Sequence, residues 1–208
     1  MKKIIFLDVD GVLNGRPRFL EYWWWRLTKN IKKKLWPYLP TGGIKNMEFR
    51  YARQLEKIVR RTGAFIVISS TWRHTYPRPR QWMPLLELAG ASMAAHRVVG
   101  ITGSLGAFRT FAPVRGNEIE LWLQDHGCYQ KDDVKYIVLD DDSDMTEEQK
   151  KSHFVHVKGS TGLRNKHVRQ VVKLLGKREK DMLRNWNPEI VHREAIFVEG
   201  DTDEVTDS

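Results

Sequence analysis

The sequence predicts an α/β protein with a central parallel sheet that is covered by helices on both faces. Short apolar runs typical of buried strands alternate along the chain with segments whose apolar residues recur at helical spacing. Several of the predicted strands also end in clusters of polar residues. Because ligands bind beyond the carboxyl ends of the strands in such sheets, these clusters predict a site at one rim.

The first part of the chain contains two predicted strands with a helix between them. Residues 3–7 form the first strand, and two aspartates, Asp8 and Asp10, follow it at once. Residues 47–61 form a helix, because their apolar side chains share one helical face and a glycine follows the last turn. The second strand, 64–68, is short and rich in β-branched residues, as expected of a buried strand.

The same patterns continue towards the carboxyl end. The later predicted elements are helices at 82–88, 117–125 and 165–175 and strands at 135–139 and 154–157. The glycine-rich segment 100–106 lacks a strand-to-helix pattern and is predicted to be a flexible connection. Ser69 and Ser70 follow the second strand, and Asp140 and Asp141 follow the third, so the polar strand ends should converge on one rim.

Composition favours a folded protein in a reducing compartment. The chain has 208 residues, of which 41% are hydrophobic and eight are Trp, enough for one substantial core. Its single cysteine, Cys128, excludes an internal disulfide. Asp8 cuts the first apolar run too short for a signal peptide, and no segment approaches the roughly 18 apolar residues of a membrane span. A soluble cytoplasmic protein is therefore expected.

Charge is distributed unevenly along the chain, whose net charge is +9. Residues 15–46 carry eight Lys or Arg and one acid, whereas residues 194–208 carry six acids and no Lys or Arg. A basic balance favours polyanionic partners or anionic surfaces. The acidic segment is expected to be disordered, and one hypothesis is that it folds back on the basic segment and screens it.

The two aspartates after the first strand are the residues most suggestive of chemistry. Asp8 and Asp10 are followed by Gly11, which lets the chain turn away from the strand. Paired carboxylates at a strand end suit Mg²⁺, which takes hard oxygen ligands and leaves room for a substrate phosphate. An Asp carboxylate is also a phosphate-accepting nucleophile. The alternative interpretation is an ordinary Asp-Gly turn.

Four motifs, in order along the chain, resemble those of the haloacid dehalogenase (HAD) superfamily of Mg²⁺-dependent phosphohydrolases. Asp8-Val9-Asp10-Gly11-Val12 is similar to the first motif, and Ile68-Ser69-Ser70 is similar to the second. Arg115 lies where the third motif has a cation, and Leu139-Asp140-Asp141 is similar to the acidic fourth motif. The resemblance covers about residues 3–175 and implies a three-layer Rossmann-like fold with a small helical, Trp-rich cap or insert.

Longer strings narrow the resemblance to one branch of the superfamily. The strings SSTWR, RGNEIELWL, YIVLDDDSDM and STGL resemble the small HAD domains associated with RNA and DNA repair proteins, distantly including polynucleotide 3′-phosphatases. The resemblance implies a phosphatase domain at 1–178, with an insert at 15–46, and a carboxyl-terminal extension at 179–208.

The resemblance also implies roles for the first and second motifs. Asp8 would attack phosphorus and form an aspartyl-phosphate. Asp10 would protonate the leaving oxygen and later activate water, while its backbone carbonyl binds Mg²⁺. Ser69, or alternatively Ser70, would donate a hydrogen bond to the transferred phosphoryl group.

The third and fourth motifs would supply positive charge around the phosphoryl group. Arg115 would neutralise the phosphoryl oxygens, with Arg109 as the alternative. Asp140 and Asp141 would complete the Mg²⁺ shell with Asp8 and Asp10. Asp142 and Asp144 follow closely in the chain. Which of Asp141, Asp142 and Asp144 is the second metal ligand of the fourth motif therefore stays open.

Trp72 and Arg73 directly follow the second motif and allow two interpretations. In the functional one they bind substrate, with Trp72 stacking on a base and Arg73 holding a phosphate. In the structural one Trp72 packs in the core and Arg73 pairs with a surface carboxylate.

The insert at 15–46 has three competing interpretations. Apolar and basic residues occupy largely different faces when the segment is placed on a helix. It would then be a lid over the active site, a nucleic-acid-binding segment that holds phosphates with lysines, or a helix on an anionic membrane surface.

The expected activity is Mg²⁺-dependent hydrolysis of a phosphate monoester, in a nucleotide or at a nucleic-acid 3′ end. One alternative is a small-metabolite phosphatase with an aromatic lid. Another is a non-catalytic binding module that keeps the fold.

Overall fold

A computed structural model describes residues 1–14, 47–105, 114–128 and 134–178. Among these residues five parallel strands form one sheet in the order β3-β2-β1-β4-β5. The strands are β1 (Lys2–Leu7), β2 (Phe65–Ile68), β3 (Val98–Ile101), β4 (Val134–Asp140) and β5 (Phe154–His156). The predicted α/β class with a parallel sheet is therefore confirmed.

Helices connect successive strands on both faces of the sheet. They are α1 (Phe49–Thr62), α2 (Trp82–Leu88), α3 (Ser92–Ala95), α4 (Val114–Asp125), α5 (Glu147–Ser152) and α6 (Asn165–Leu175), with 3₁₀ turns at Thr71–His74 and Pro79–Gln81. Among the described residues, no helix has the length and apolar character that crossing a membrane would require.

The central strand β1 shows why the sheet needs cover on both faces. All of its residues from Ile4 to Leu7 are fully buried, and it pairs with β2 on one side and β4 on the other. Ile5 and Leu7 belong to the larger apolar cluster, whereas Ile4 and Phe6 belong to the smaller one. Because side chains alternate along a strand, the continuous apolar run supplies both layers of the core.

The larger cluster lies between the sheet and the layer made by α1, α2, α3 and α6. Helix α1 buries Tyr51, Leu55, Ile58 and Val59, which are the residues that the helical pattern predicts. It ends at Gly63, whose φ of 69° is left-handed backbone that glycine adopts without steric cost. The predicted helix and its inward face are confirmed.

Helix α4 covers the opposite face of the sheet. Its Ile119, Trp122 and Leu123 are buried and pack against β1 and β4 in the smaller cluster. The Trp122 and Phe6 rings meet edge to face, with centroids 5.5 Å apart. Helix α5 lies beside α4, and its Gln149 amide donates to the Gly116 carbonyl at 3.1 Å.

The structure corrects the prediction for residues 100–101 of the glycine-rich segment. Gly100 and Ile101 belong to the edge strand β3 and pair with Val67 and Ile68 of β2. The strand has four residues and a glycine, so its local pattern is weak. It forms because β2 offers unpaired backbone groups to it.

Helix α4 also begins three residues before the predicted start, at Val114 rather than Asn117. Gly116 lies in its first turn and discourages a helix locally. The short elements α3 and α5 were not predicted either, because single helical turns carry little periodicity. The insert at 15–46, the extension at 179–208 and Arg109 lie outside the described residues.

Candidate active site

The carboxyl ends of three adjacent strands bring the polar clusters together. The Asp8 N–H donates to the Leu139 carbonyl at 2.9 Å, and the Ser69 N–H donates to the Leu7 carbonyl at 2.9 Å. These bonds extend the strand ladders by one residue at the rim. They place Asp8 between the end of β4, which carries Asp140, and the end of β2, which carries Ser69.

Three of these acids form a cluster that is able to hold a metal ion. One carboxylate oxygen from each of Asp8, Asp140 and Asp141 lies within 4.8 Å of the other two. Asp8 and Asp140 are buried, and Asp141 is half-buried. Gly11 and Gly159 approach the Asp141 carboxylate so closely that a Cβ at either position would overlap it. The lack of side chains at these two glycines therefore leaves room for the Asp141 carboxylate.

Arg115 supplies positive charge to the same cluster. Its guanidinium lies 3.8 Å from Asp8 Oδ1 and 3.6 Å from Asp140 Oδ2, and it donates a hydrogen bond to the Ser69 carbonyl. A single cation thus contacts groups from β1, β2 and β4. The structure places Arg115 inside the first turn of α4 rather than just before the helix.

The first turn of α4 is held by an acid from another part of the chain. Asp144 accepts hydrogen bonds from the backbone N–H groups of Val114 and Arg115, each at 3.1 Å. A carboxylate at this position satisfies free helix N–H groups and interacts favourably with the helix dipole. Asp144 is therefore engaged in capping the helix that carries Arg115.

Burial raises the pKa of both central carboxyl groups. Desolvation is the largest cause for Asp8, whose pKa is raised further by the charge of Asp140 and lowered in part by Arg115 and a hydrogen bond with Ser70. Desolvation also raises the pKa of Asp140, against the opposing charge of Arg115. Two neighbouring buried carboxylates ionise together at high cost unless more positive charge is added.

The residues present fit a divalent cation. Asp140 Oδ2 is buried and accepts no hydrogen bond from any described residue, so it is available as a ligand. The donor set of carboxylate oxygens is the kind that Mg²⁺ prefers. A bound cation would also add the positive charge that ionised Asp8 and Asp140 require.

The Ser69 and Ser70 side chains differ in what they contact. The Ser69 hydroxyl is buried and has no hydrogen-bond partner among the described residues. Ser70 contacts Asp8 and also accepts from the Trp72 N–H at 3.4 Å. Because a buried hydroxyl without a partner is costly, Ser69 is the one with unused capacity for a ligand oxygen.

Asp10 points to the exposed side of the rim. Its Oδ1 accepts from the Asn14 amide at 2.6 Å, and its Oδ2 accepts from the Trp72 indole N–H at 3.0 Å. One donor on each oxygen holds the carboxylate in a single orientation. Trp72 is half-buried and lies near the rings of Tyr76 and Trp82, so its indole N–H is directed at Asp10 by packing.

Arg73 occupies a different position from the one predicted. Its guanidinium is buried and donates to both carboxylate oxygens of buried Glu118, at 2.8 and 2.9 Å, and to the Thr102 hydroxyl at 3.3 Å. This geometry contradicts pairing with a surface carboxylate, and it leaves the guanidinium directed into the protein rather than towards a substrate phosphate. The reason is that Glu118 lies on the inner side of α4, facing the 3₁₀ turn that carries Arg73.

Asp142, like Asp144, lies outside the metal cluster. It is exposed and accepts from the Ser143 N–H at 2.7 Å. The residues that sequence reasoning missed are Asn14, Glu118 and Thr102, which hold Asp10 and Arg73. Asn14 lies four residues after Asp10, a spacing that can bring two side chains together in a turn. Glu118 and Thr102 are far from Arg73 in the sequence, so no local pattern predicts that they contact it.

A parallel sheet with an acid pair after its first strand, a hydroxyl after the second and an acid pair after the fourth defines a HAD-superfamily domain. Residues 4–168 match the family model described as the HAD domain in Swiss Army Knife RNA repair proteins. The chain belongs to this family, and membership supports a phosphohydrolase-type function. No curated protein and no solved structure matches the chain.

Proposed function

We propose that this protein is a Mg²⁺-dependent phosphohydrolase that acts through an aspartyl-phosphate on Asp8. The observation that carries the proposal is the placement of Asp8, a buried carboxylate that contacts both the Arg115 guanidinium and a cluster of two further acids. A buried carboxylate with only a structural role would not need two further acids beside it, because grouping like charges in the protein interior costs free energy. A phosphate-accepting nucleophile requires positive charge close to it, which Arg115 and a metal would provide.

In the first step an Asp8 oxygen attacks phosphorus and the bond between phosphorus and the leaving oxygen breaks. Asp10, held by Asn14 and Trp72, donates a proton to that leaving oxygen. Arg115 stabilises negative charge on the phosphoryl oxygens, and the Ser69 hydroxyl donates to one of them. The product is a phosphorylated Asp8 carboxylate and a free alcohol.

In the second step water attacks the phosphorus of phosphorylated Asp8. Asp10, now ionised, takes a proton from that water. The bond between phosphorus and the Asp8 oxygen breaks, which regenerates the carboxylate and releases inorganic phosphate. Trp72 and Asn14 act as positioning residues, because they keep the same carboxylate oriented for both proton transfers.

Asp8, Asp140 and Asp141 would hold the magnesium ion. The resemblance to the HAD superfamily implies the backbone carbonyl of Asp10 as a further ligand. When bound, Mg²⁺ supplies charge neutralisation between an anionic nucleophile and an anionic substrate. The remaining chemistry is carried by the side chains described above.

The substrate that we propose is a phosphorylated nucleotide or a nucleic-acid 3′-phosphate end. The family description, which refers to RNA repair proteins, supports this choice. The net charge of +9 supports it as well, because a basic protein concentrates polyanions near its surface.

The decisive experiment compares wild type with Asp8→Asn. Phosphate release is measured with and without Mg²⁺ on p-nitrophenyl phosphate, nucleoside monophosphates and a 3′-phosphorylated oligonucleotide. We expect Mg²⁺-dependent turnover that the substitution reduces at least about a thousandfold, because an amide is not an effective nucleophile.

Asp142→Asn is the matched control, since it makes the same chemical change at an exposed acid of the same rim. It should retain turnover. Full activity of Asp8→Asn, or turnover that persists in a chelator, would contradict the mechanism. Inactivity of wild type towards every substrate would instead favour a binding module.

A further inference from the structure

Helices α1 and α6 lie side by side on one face of the sheet, and both begin at the rim that carries the site. Near their beginnings, Gly162 lies against the Tyr51 ring. Near their ends, the Arg178 N–H donates to the Arg61 carbonyl at 2.7 Å. The two helices therefore run parallel and share one outer surface that extends from the site to the opposite edge of the sheet.

This outer surface is strongly basic. Helices α1 and α6 together contain eight Lys or Arg and one acid, Glu56. Residues 157–178, which include the loop before α6 and α6 itself, contain seven Lys or Arg and no acid. Helix α4, on the opposite face of the sheet, contains one Arg and three acids. Among these three helices, the positive charge is thus concentrated on the face of the sheet that α1 and α6 cover.

Several of these cations have no ion-pair partner within the described part of the chain. Lys57 and Arg61 on α1, and Arg169 and Lys173 on α6, are exposed and make no salt bridge to a described residue. At the ends of the helices, burial and the charge of Arg60 lower the pKa of Arg178. Like charges held this close repel one another, and a bound polyanion would relieve that repulsion.

The basic surface is continuous with the candidate active site. The loop between β5 and α6 contains Gly159, which lies against the Asp141 carboxylate, and exposed Lys158 and Arg164. The Leu163 N–H of this loop donates to the Val12 carbonyl at 2.9 Å, just after Asp10 in the chain. A polyanion on the helices would therefore have one end at the cluster of acids.

We propose that the basic helix pair, defined by Lys57, Arg61, Arg169 and Lys173, binds the phosphodiester backbone of a nucleic-acid strand whose 3′ end reaches the candidate active site. The partner is argued from charge: repeated phosphates match repeated cations that have no ion-pair partner among the described residues. The inference rests on the proposed function only for the position of the 3′ end. Backbone binding itself does not depend on catalysis.

Helix length sets the size of the partner. A helix of 14 residues, such as α1, is about 21 Å long. At about 3.4 Å per nucleotide of one strand, about six phosphates cover that distance, so an oligonucleotide of about six residues should engage the helix pair. A mononucleotide should reach only the rim.

The test compares two double variants of the full chain. Lys57→Gln with Lys173→Gln removes two charges from the helix pair, and Lys135→Gln with Lys151→Gln removes two charges from exposed positions elsewhere. Binding of 3′-hydroxyl RNA and DNA oligonucleotides is measured by fluorescence anisotropy across a range of salt concentrations. Thermal unfolding checks that both variants remain folded.

We expect the helix-pair variant to bind roughly tenfold more weakly at about 0.1 M salt, and its slope of log K against log salt to fall by about 1.4 for single strands. The control variant should match wild type. A loss on both RNA and DNA supports the proposal, because both present a phosphodiester backbone.

Other results would overturn it. Equal losses in the two variants would show a general effect of net charge. No loss in either would place binding elsewhere, including on the insert at 15–46, or would fit occupation of the helix pair by the acidic segment 194–208. A selective loss of binding to phosphatidylserine vesicles, with nucleic-acid binding unchanged, would identify a lipid surface as the partner.

A parallel activity measurement separates this inference from the proposed function. The helix-pair variant should lose kcat/KM on a 3′-phosphorylated oligonucleotide and keep it on p-nitrophenyl phosphate. In one outcome, wild type hydrolyses neither substrate while the helix-pair variant still binds oligonucleotides more weakly than the control variant. That result would contradict the proposed mechanism and support the proposed binding surface.

Discussion

At the scale of single residues, the four aspartates between positions 140 and 144 have different environments. Asp140 and Asp141 belong to the cluster with Asp8, Asp142 is exposed, and Asp144 caps α4. Their chemistry is identical, so their surroundings determine what each one does. Burial next to Arg115 suits Asp140 to metal binding, whereas two backbone donors occupy both oxygens of Asp144.

The two glycines beside Asp141 lead to a prediction about metal affinity. In Gly159→Ala, the new Cβ would overlap the Asp141 carboxylate and force it away from Asp8 and Asp140. We expect Mg²⁺ affinity, measured by calorimetry or by the Mg²⁺-dependent shift in Tm, to fall by about tenfold or more.

Gly103→Ala is the control, because a Cβ at that exposed position meets no atom of a described residue within 4 Å. It should bind Mg²⁺ as wild type does. Wild-type affinity in Gly159→Ala would show that Asp141 is not a ligand.

At the scale of elements, helix α4 depends on an acid that lies far from it in sequence. Asp144 is 30 residues from Val114, yet it caps the turn that presents Arg115 to Asp8. Buried Arg73 and Glu118 hold the same helix to the 3₁₀ turn after β2. The position of Arg115 is thus set from two sides by polar contacts between elements.

Removing the cap should affect activity as well as stability. We expect Asp144→Ala to lower the free energy of unfolding by about 1 kcal/mol, as loss of a helix cap does. Because the first turn carries Arg115, kcat should fall by more than tenfold, measured under conditions in which the variant is folded.

Thr146→Ala provides the comparison, since Thr146 caps α5 by accepting from the Gln149 N–H at 3.2 Å. A similar loss of stability with near-normal kcat is expected there. Equal losses of kcat in both variants would mean that α4 does not need Asp144 to place Arg115.

At the scale of the whole molecule, a buried histidine couples stability to pH. His167, in the first turn of α6, accepts from the Arg164 N–H at 3.0 Å, and its other ring nitrogen is buried with no partner among the described residues. Burial, together with the charges of Lys166, Arg164 and His156, lowers the pKa of His167 to about 4. The histidine is therefore neutral in the folded protein at neutral pH.

The sign of the pH effect follows from that lowered pKa. The unfolded chain binds a proton at His167 near pH 6.5, whereas the folded protein does so only near pH 4. The associated stability is present above pH 6.5 and is lost as the pH falls towards 4. We expect this loss to be on the order of 2 kcal/mol, measured by denaturant unfolding.

His167→Gln should reduce the dependence of the free energy of unfolding on pH. The glutamine oxygen can still accept from Arg164 at the start of the helix, but it does not titrate. The difference in stability between wild type and this variant should therefore change between pH 6.5 and 4. A constant difference over that range would show that His167 keeps an ordinary pKa.

Much of the architecture was predictable because its signals are local. β1, α1 and α6 follow from apolar periodicity over a few residues, and their buried faces agree with the pattern. The convergence of Asp8, Ser69 and Asp140 on one rim also follows, because parallel strands place their carboxyl ends together. β3 was missed because its short, glycine-containing strand forms through pairing with β2.

The sequence by itself determined four of the five strands, the longer helices that cover them and the acids that meet at the rim, because these depend on hydrophobic period and on strand direction. The tertiary structure alone decided the partners of the polar side chains. Trp72 reaches Asp10 across 62 residues, and Arg73 meets Glu118 across 45. Such partners are set by how elements pack in register, which no local pattern records.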